Sequence, residues 1–394
     1  MKYDFSFFDQ SINRFGTRSE KWDDPVHCGP DDLAMWVADW DFACAEPIVN
    51  ALQERAKHPC FGYSSPDPND ELAFCGFWER RHNVKILPEQ TMMLPCVVTG
   101  MKLAVRVFSN PGEPVIITPP VYGPFRFSIE SNNRVIAKAP LKEDENARYY
   151  IDFEAIENHL KAGAKCVLFC NPHNPISRSW SFDELQQLVD LCIAYDAVLI
   201  SDEIHADFIY QPHEFISALR IPGAEKCVVT LTSASKTFNI PGLQQAMAVS
   251  YNAELLGKMK TEANAAGVTS GNIFALAAAQ KAYTECDDWL DGMLAYLEES
   301  KKIIETEVPR LMPKARLTPI EATCLCWLDL RAYAPTTDEL SAKAKKHHVV
   351  FTGGTFFDPT LGDGFLRLNF GCPHAMLREA IKRLAAAMND EERD

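Results

Sequence analysis

The sequence predicts an α/β protein: a large domain built on a mostly parallel central sheet, followed by a smaller α+β domain. Three observations carry that expectation. Between about residues 92 and 250, short apolar runs rich in β-branched residues alternate with helical patterns. Each run is apolar along its whole length, the pattern of strands covered on both faces. After about residue 290 a polar helix is followed by strands and helices in mixed order, which reads as α+β.

In chain order, the first 45 residues form no unit of their own, and residues 1–45 are expected to pack on both domains. The large domain, 46–289, takes its strands from "PVIITPP" (114–120), "KCVLFC" (165–170), "AVLIS" (197–201), "CVVTLT" (227–232) and "AMAVSY" (246–251). Ser181 and Glu184 form a capping box, after which Leu185, Leu188, Val189 and Cys192 recur at the spacing of one buried helical face. The small domain, 290–394, contributes a helix over 290–306, a strand "CLCWLDL" (324–330), a helix near 337–346, strands near 348–352 and 364–370, and a closing helix over 374–388.

Composition narrows the function. A chain of 394 residues with 47% hydrophobic and 24% charged residues can bury a full core. A net charge of −15 disfavours nucleic acid and anionic membranes as partners, because both demand clustered Lys and Arg. Asp4 and Asp9 interrupt the opening stretch where a signal peptide needs an apolar run, and no segment approaches ~20 apolar residues, so a cytoplasmic location is expected. The thirteen cysteines include no CxxC pair and read as buried reduced thiols.

The residues just beyond the apolar runs are the informative ones. "CVLFC" leads into Asn171, "AVLIS" into Asp202 and "CVVTLTSAS" into Lys236, at intervals of 31 and 34 residues. That interval is about one strand–helix–strand repeat of ~30 residues, so all three fall at the carboxyl edge of the sheet, where such folds place ligands. Singly, each has an ordinary explanation as a cap, a turn residue or a solvated lysine. Together they suit pyridoxal 5′-phosphate chemistry. Lys236 would form the Schiff base, Asp202 would pair with the protonated pyridine nitrogen, and Asn171 would bond the phenolic oxygen. A phosphate cradle is read in "VVTGMKLAV" (97–105), from Gly100, Met101 and Lys102 at the start of a helix, with hydroxyls from Ser233 and Ser235. Tyr122, between turn residues in "PPVYGPF", suits either stacking on the pyridine ring or packing within the loop.

The motifs "MWVADWDF" (35–42), "FGYSSPD" (61–67), "NPHNP" (171–175), "SDEIHADF" (201–208), "TSASKTFNIPGLQ" (232–244) and "RLNFGCP" (367–373) resemble those of fold-type I, class I/II aminotransferase-like enzymes. Above all they resemble the MalY/PatB group of cystathionine β-lyases, or cysteine-S-conjugate C–S lyases. The resemblance implies that Lys236, Asp202 and Asn171 have the roles given above, that Tyr122 is the stacking aromatic, and that His205 lies near the phenolic oxygen. It implies that Arg367 forks onto the substrate α-carboxylate, with Ala38, Trp36 and Asp39 lining the pocket. It further implies that Tyr63 reaches the phosphate in the neighbouring subunit, giving a homodimer with shared active sites. Ordinary aminotransferases carry an arginine eight residues after the lysine; here Gln244 stands there, which favours a lyase.

The resulting expectation is α,β-elimination of L-cystathionine or a related cysteine S-conjugate to thiol, pyruvate and ammonia, with Lys236 as base and Lys236 or Tyr122 protonating the leaving group. An aminotransferase, and a regulatory protein-binding role on the same fold, stand as alternatives. No metal is expected, since neither His173 nor His205 has a partner at i+3 or i+4.

Overall fold

The computed structural model describes residues 2–268 and 271–390, so the last four residues assigned to the small domain, 391–394, lie outside the described residues. Seven strands form the main sheet: β1 (Thr91–Leu94), β2 (Pro114–Ile117), β3 (Val135–Lys138), β4 (Cys166–Cys170), β5 (Val198–Asp202), β6 (Val228–Thr232) and β7 (Ala246–Val249). Their spatial order is β1-β7-β6-β5-β4-β2-β3. Neighbours from β6 to β3 run parallel, while β7 is antiparallel to both β6 and β1. All five strands expected from the sequence are present. The apolar pattern does not announce β3, because it is an edge strand with Val135 exposed and has no continuous apolar run.

The pleat divides the core in two. Val167, Phe169, Leu199 and Val228 join one buried cluster, whereas Cys166, Leu168, Cys170, Ile200, Val229 and Leu231 join the other. Successive residues of a strand point to opposite faces, so each face is largely apolar and each is covered by helices. The helix Phe182–Ala194 begins as expected: the Glu184 amide donates to Ser181 Oγ (3.3 Å) and the Ser181 amide to Glu184 Oε2 (2.8 Å), and Leu185, Leu188, Val189 and Cys192 are buried.

Towards the carboxyl end, β8 (Arg316–Leu317), β9 (Leu325–Asp329), β10 (Thr352–Gly353) and β11 (Phe365–Asn369) make a four-stranded antiparallel sheet in the order β8-β9-β11-β10. Helices Asp287–Leu311 and His374–Asn389 pack together beside it. The first of these is longer than the 290–306 expected. Its last turn carries Pro309, a residue type that ordinarily ends a helix.

The amino-terminal segment bridges the two sheets. Leu33–Ala34 pairs in parallel with Val349–Val350, and the Phe8 ring meets Phe42, Trp289 and Tyr296. Trp40 Nε1 donates to the Lys236 carbonyl (2.7 Å), and a Cβ on Gly371 would lie 2.4 Å from the Trp40 ring. Glycine is what lets the "RLNFG" turn close over that indole. Asn369 in the same turn donates to the carbonyls of Val37 (2.6 Å) and Asp39 (2.7 Å), clamping the "WVAD" loop above the carboxyl edge of the main sheet.

Candidate active site

Strand β6 runs out at Thr232, and its polypeptide turns at Ser233, whose hydroxyl accepts from the Ser235 amide (2.9 Å) and donates to the Gln245 carbonyl. The short helix Ala234–Thr237 presents Lys236 to a cleft of about 1430 Å³ at the carboxyl edge of the sheet. There Lys236 Nζ donates to the Ala38 carbonyl, and burial lowers its pKa below the usual lysine value, opposed mainly by the charge of Asp39. Burial favours the neutral amine, the form that can act as nucleophile or base.

Across the cleft floor, Asp202 ends β5. Among the described residues, the only hydrogen bond to its carboxylate is from the Ile204 amide (3.2 Å), and burial pushes its pKa up to about 7. A buried carboxylate facing a cleft without a cationic partner is costly unless a cation binds it. His205, equally buried, has no partner at Nδ1 among the described residues, and burial pulls its pKa down to about 3, so it stands there neutral.

Asn171 is not in the cleft. The register pairs Cys170 with Asp202, so these two side chains share a face, and Asn171 points to the opposite one together with Glu203. Asn171 Nδ2 donates to the Ile216 carbonyl (2.9 Å) and lies 3.5 Å from Glu203 Oε1. Glu203 also accepts from Ser201, Ser217 and the Ala218 amide, and its pKa is pushed up to about 7 by burial. The amide that reaches the cleft is Asn174, the second asparagine of "NPHNP". Its Oδ1 accepts from Arg367 Nη1 (3.2 Å), and its carbonyl accepts from the Tyr122 amide (3.2 Å), which holds Tyr122 on the cleft wall.

Gly100 does not offer the free amide expected of a phosphate cradle. The helix after β1 spans Val97–Phe108, which puts Gly100 a full turn inside it, its amide already bonded to the Cys96 carbonyl (3.2 Å). A Cβ on Gly100 would lie 2.8 Å from Leu231 and 2.9 Å from Leu94, so this glycine serves helix-on-sheet packing. Lys102 faces solvent, and Met101 lines the cleft through its side chain. The amides without intrahelical acceptors are those of Val97, Val98 and Thr99, and Cys96 provides no side-chain cap for them. Val97, Val98, Ser233 and Ser235 border the cleft together.

Arg367 enters from β11. Its guanidinium is buried, donating to the Trp36 carbonyl (2.6 Å) and Thr352 Oγ1 (3.1 Å) as well as to Asn174, and its Nε has no partner among the described residues. No described carboxylate serves it as a counter-ion, and burial lowers its pKa to about 10, so it remains charged at neutral pH. Trp36 and Asp39 line the same cleft. Asp39 is held by a two-point contact with Arg14 (2.7 and 2.8 Å). Gln244 borders the cleft in a left-handed conformation (φ 55°). Tyr63 lies away from this cleft and is fully exposed. His173 is buried with Nε2 against the Pro120 carbonyl (2.9 Å), and no metal-ligating cluster exists among the described residues.

A floor carboxylate facing a cleft, a buried lysine, a ring of free amides and a buried guanidinium fit a phosphorylated pyridine aldehyde and an amino-acid carboxylate. A family model, "Aminotransferase class I and II", matches residues 37–384. The chain belongs to this family. Within it, the chain is 38% identical to cystathionine β-lyase PatB of Bacillus subtilis, over 97% of this chain and 100% of PatB. It is 31% identical to protein MalY of Escherichia coli, over 97% of this chain and 98% of that one. Among solved structures, cystalysin from Treponema denticola, described as containing pyridoxal 5′-phosphate, aligns with a TM-score of 0.93 at 30% identity, covering 99% of this chain and 100% of cystalysin. The PLP-bound C–S lyase of Staphylococcus hominis aligns at 0.88 and 28% identity, covering 98% and 99%.

Proposed function

We propose that this protein is a pyridoxal-phosphate-dependent carbon–sulfur lyase that removes the β-thiolate from L-cystathionine or a related cysteine S-conjugate, giving thiol, pyruvate and ammonia. The observation that carries this reading is one cleft in which a buried Lys236, an unpaired Asp202 and an unpaired Arg367 converge, with Gln244 where a phosphate-gripping arginine would mark an ordinary aminotransferase. The kinship with cystathionine β-lyases supports it.

In this proposal Lys236 Nζ holds the cofactor, Asp202 holds its ring nitrogen in the protonated form, and Asn174 with His205 and Tyr122 lines its ring. The amides of Val97 and Val98 and the hydroxyl of Ser235 hold the phosphate. When bound, the cofactor supplies an electron sink for the charge that develops at the substrate Cα. Arg367 takes the α-carboxylate on the donors its fold leaves free, Nε and the second Nη1 hydrogen, and so fixes which Cα bond stands over Lys236. Lys236, in the neutral form that burial at the cleft floor favours, would take the Cα proton. Loss of the Cβ thiolate would come next, Lys236 or Tyr122 would return a proton to sulfur, and water would hydrolyse the released enamine to pyruvate and ammonia. The Ala38 carbonyl, whose flanking residues Val37 and Asp39 are tied down by Asn369, fixes the position of Nζ between these steps.

The exposed Tyr63 and Phe61 support a homodimer in which Tyr63 completes the neighbouring site. A division of the chain near residues 45 and 289, and a cytoplasmic location, belong to the same proposal. No helix among the described residues is long and apolar enough to cross a membrane. Lys236→Ala is expected to abolish pyruvate release while leaving the thermal melting of the cofactor-free protein within about 2 °C of wild type, since the Lys236 side chain makes a single hydrogen bond. Substantial turnover by that variant would overturn the assignment.

A further inference from the structure

The charged residues lining the cleft fall into three groups. Arg14 binds both Asp39 and Asp41, Lys345 binds Asp32, and His27 contacts Asp24, so these have counter-charges within the fold. Asp202, His205, Lys236 and Arg367 lie at the floor and are used by the chemistry proposed above. Two remain. Arg18 and Glu20 line the same cleft from the amino-terminal segment, are exposed, and make no salt bridge with each other or with any described residue. Arg18 is held in a left-handed conformation (φ 63°) in the turn that precedes the short helix Glu20–Asp23. Glu20 lines this cleft together with Tyr122, whose phenol pKa is raised mainly by burial.

An unpaired cation and an unpaired anion, two residues apart at the mouth of a cleft whose floor already holds an α-carboxylate receptor, complement a second zwitterion at the far end of the substrate. We infer that Arg18 and Glu20 are specificity-determining residues that receive the distal carboxylate and ammonium of a cysteine S-conjugate bearing an amino-acid group beyond sulfur. The preferred substrate class is therefore double-ended, as in L-cystathionine, rather than a simple alkyl thioether. This rests on the lyase reading. Neither residue touches the reacting atoms, so their effect falls on KM more than on kcat.

The test is the ratio of kcat/KM for L-cystathionine to that for S-methyl-L-cysteine, measured by pyruvate release from the full-length holoenzyme. Glu20→Gln and Arg18→Asn are each expected to lower that ratio about fivefold, the scale of a partly exposed ion pair, chiefly through the cystathionine KM. Asparagine suits the left-handed backbone at position 18. In the wild type, raising the ionic strength should lower the same ratio. If the variants change both substrates alike, or neither, the inference is overturned while the lyase reading stands. If wild-type enzyme releases pyruvate from neither thioether, the lyase reading falls and this inference with it.

Discussion

Asn171 and Asn174 stand three residues apart in one motif, yet the structure gives their substitution opposite consequences. Asn171 lies on the core face at the end of β4, where Nδ2 bonds the Ile216 carbonyl at 2.9 Å and its Oδ1 already lacks a partner among the described residues. Replacing it with alanine strands one buried carbonyl and removes one of the donors around Glu203, at about 1–3 kcal/mol. In a chain of 394 residues that lowers the melting temperature by about 1–4 °C. Cleft geometry is untouched, so kcat/KM at low temperature should stay within about threefold of wild type, a margin below the factor of ten that about 1.4 kcal/mol represents. Asn174→Ala instead removes the acceptor that orients Arg367 Nη1. A hydrogen bond to a charged group contributes about 1.5–3 kcal/mol, so kcat/KM should fall about 10- to 100-fold, with melting changed little. Differential scanning calorimetry and steady-state pyruvate release on both variants decide the matter. An inactive but thermally normal Asn171→Ala beside a fully active Asn174→Ala would refute the register argument and restore the first asparagine to the site.

Gly100→Ala should destabilise the fold by about 1 kcal/mol, the overpacking against Leu231 and Leu94 partly offset by better helix propensity, and leave cofactor affinity unchanged; a selective loss of affinity in a cofactor titration would contradict this. Arg367→Lys keeps the charge and loses the fork, so kcat/KM should fall at least about tenfold, chiefly through KM. Cofactor-free protein should feel the raised Asp202 pKa: the folded state keeps a proton that the unfolded state has lost, so this contribution is full below pH 3.8 and is lost as pH rises to about 7. Relative to Asp202→Asn, wild type should therefore lose on the order of 4 kcal/mol across that window in denaturant melts, and a flat difference would refute it. Mixing Tyr63→Ala with Lys236→Ala protomers should regain about a quarter of wild-type activity if sites are shared between subunits, and nothing if each protomer is self-sufficient.

The strands of the central sheet were legible because they are buried on both faces, and continuous apolar runs such as "CVLFC" and "CVVTLT" announce that directly. Lys236 and Asp202 were legible because each comes after such a run at the repeat length of a parallel sheet. For Asn171 the same reasoning goes one step too far. Coming after a strand fixes the edge of the sheet at which a residue emerges but not the face it points to, and the face depends on pairing register. The one-to-one pairing of Cys170 with Asp202 supplies that missing fact. Gly100 suggests a phosphate contact as a glycine near a helix start, although its missing Cβ faces Leu94 and Leu231. The better signal for free amides was the helix start just after Pro95 and Cys96. Asn369 gave no local signal at all, because its work is to hold a loop more than 300 residues earlier in the chain.

The most direct test of the account is the reaction itself: purified protein with pyridoxal phosphate and L-cystathionine, and no keto acid, assayed for thiol and pyruvate together. The account predicts sustained release of both in equal amounts over many turnovers. Release that stops after one equivalent per site and resumes only when a keto acid is added would make the protein an aminotransferase and contradict it.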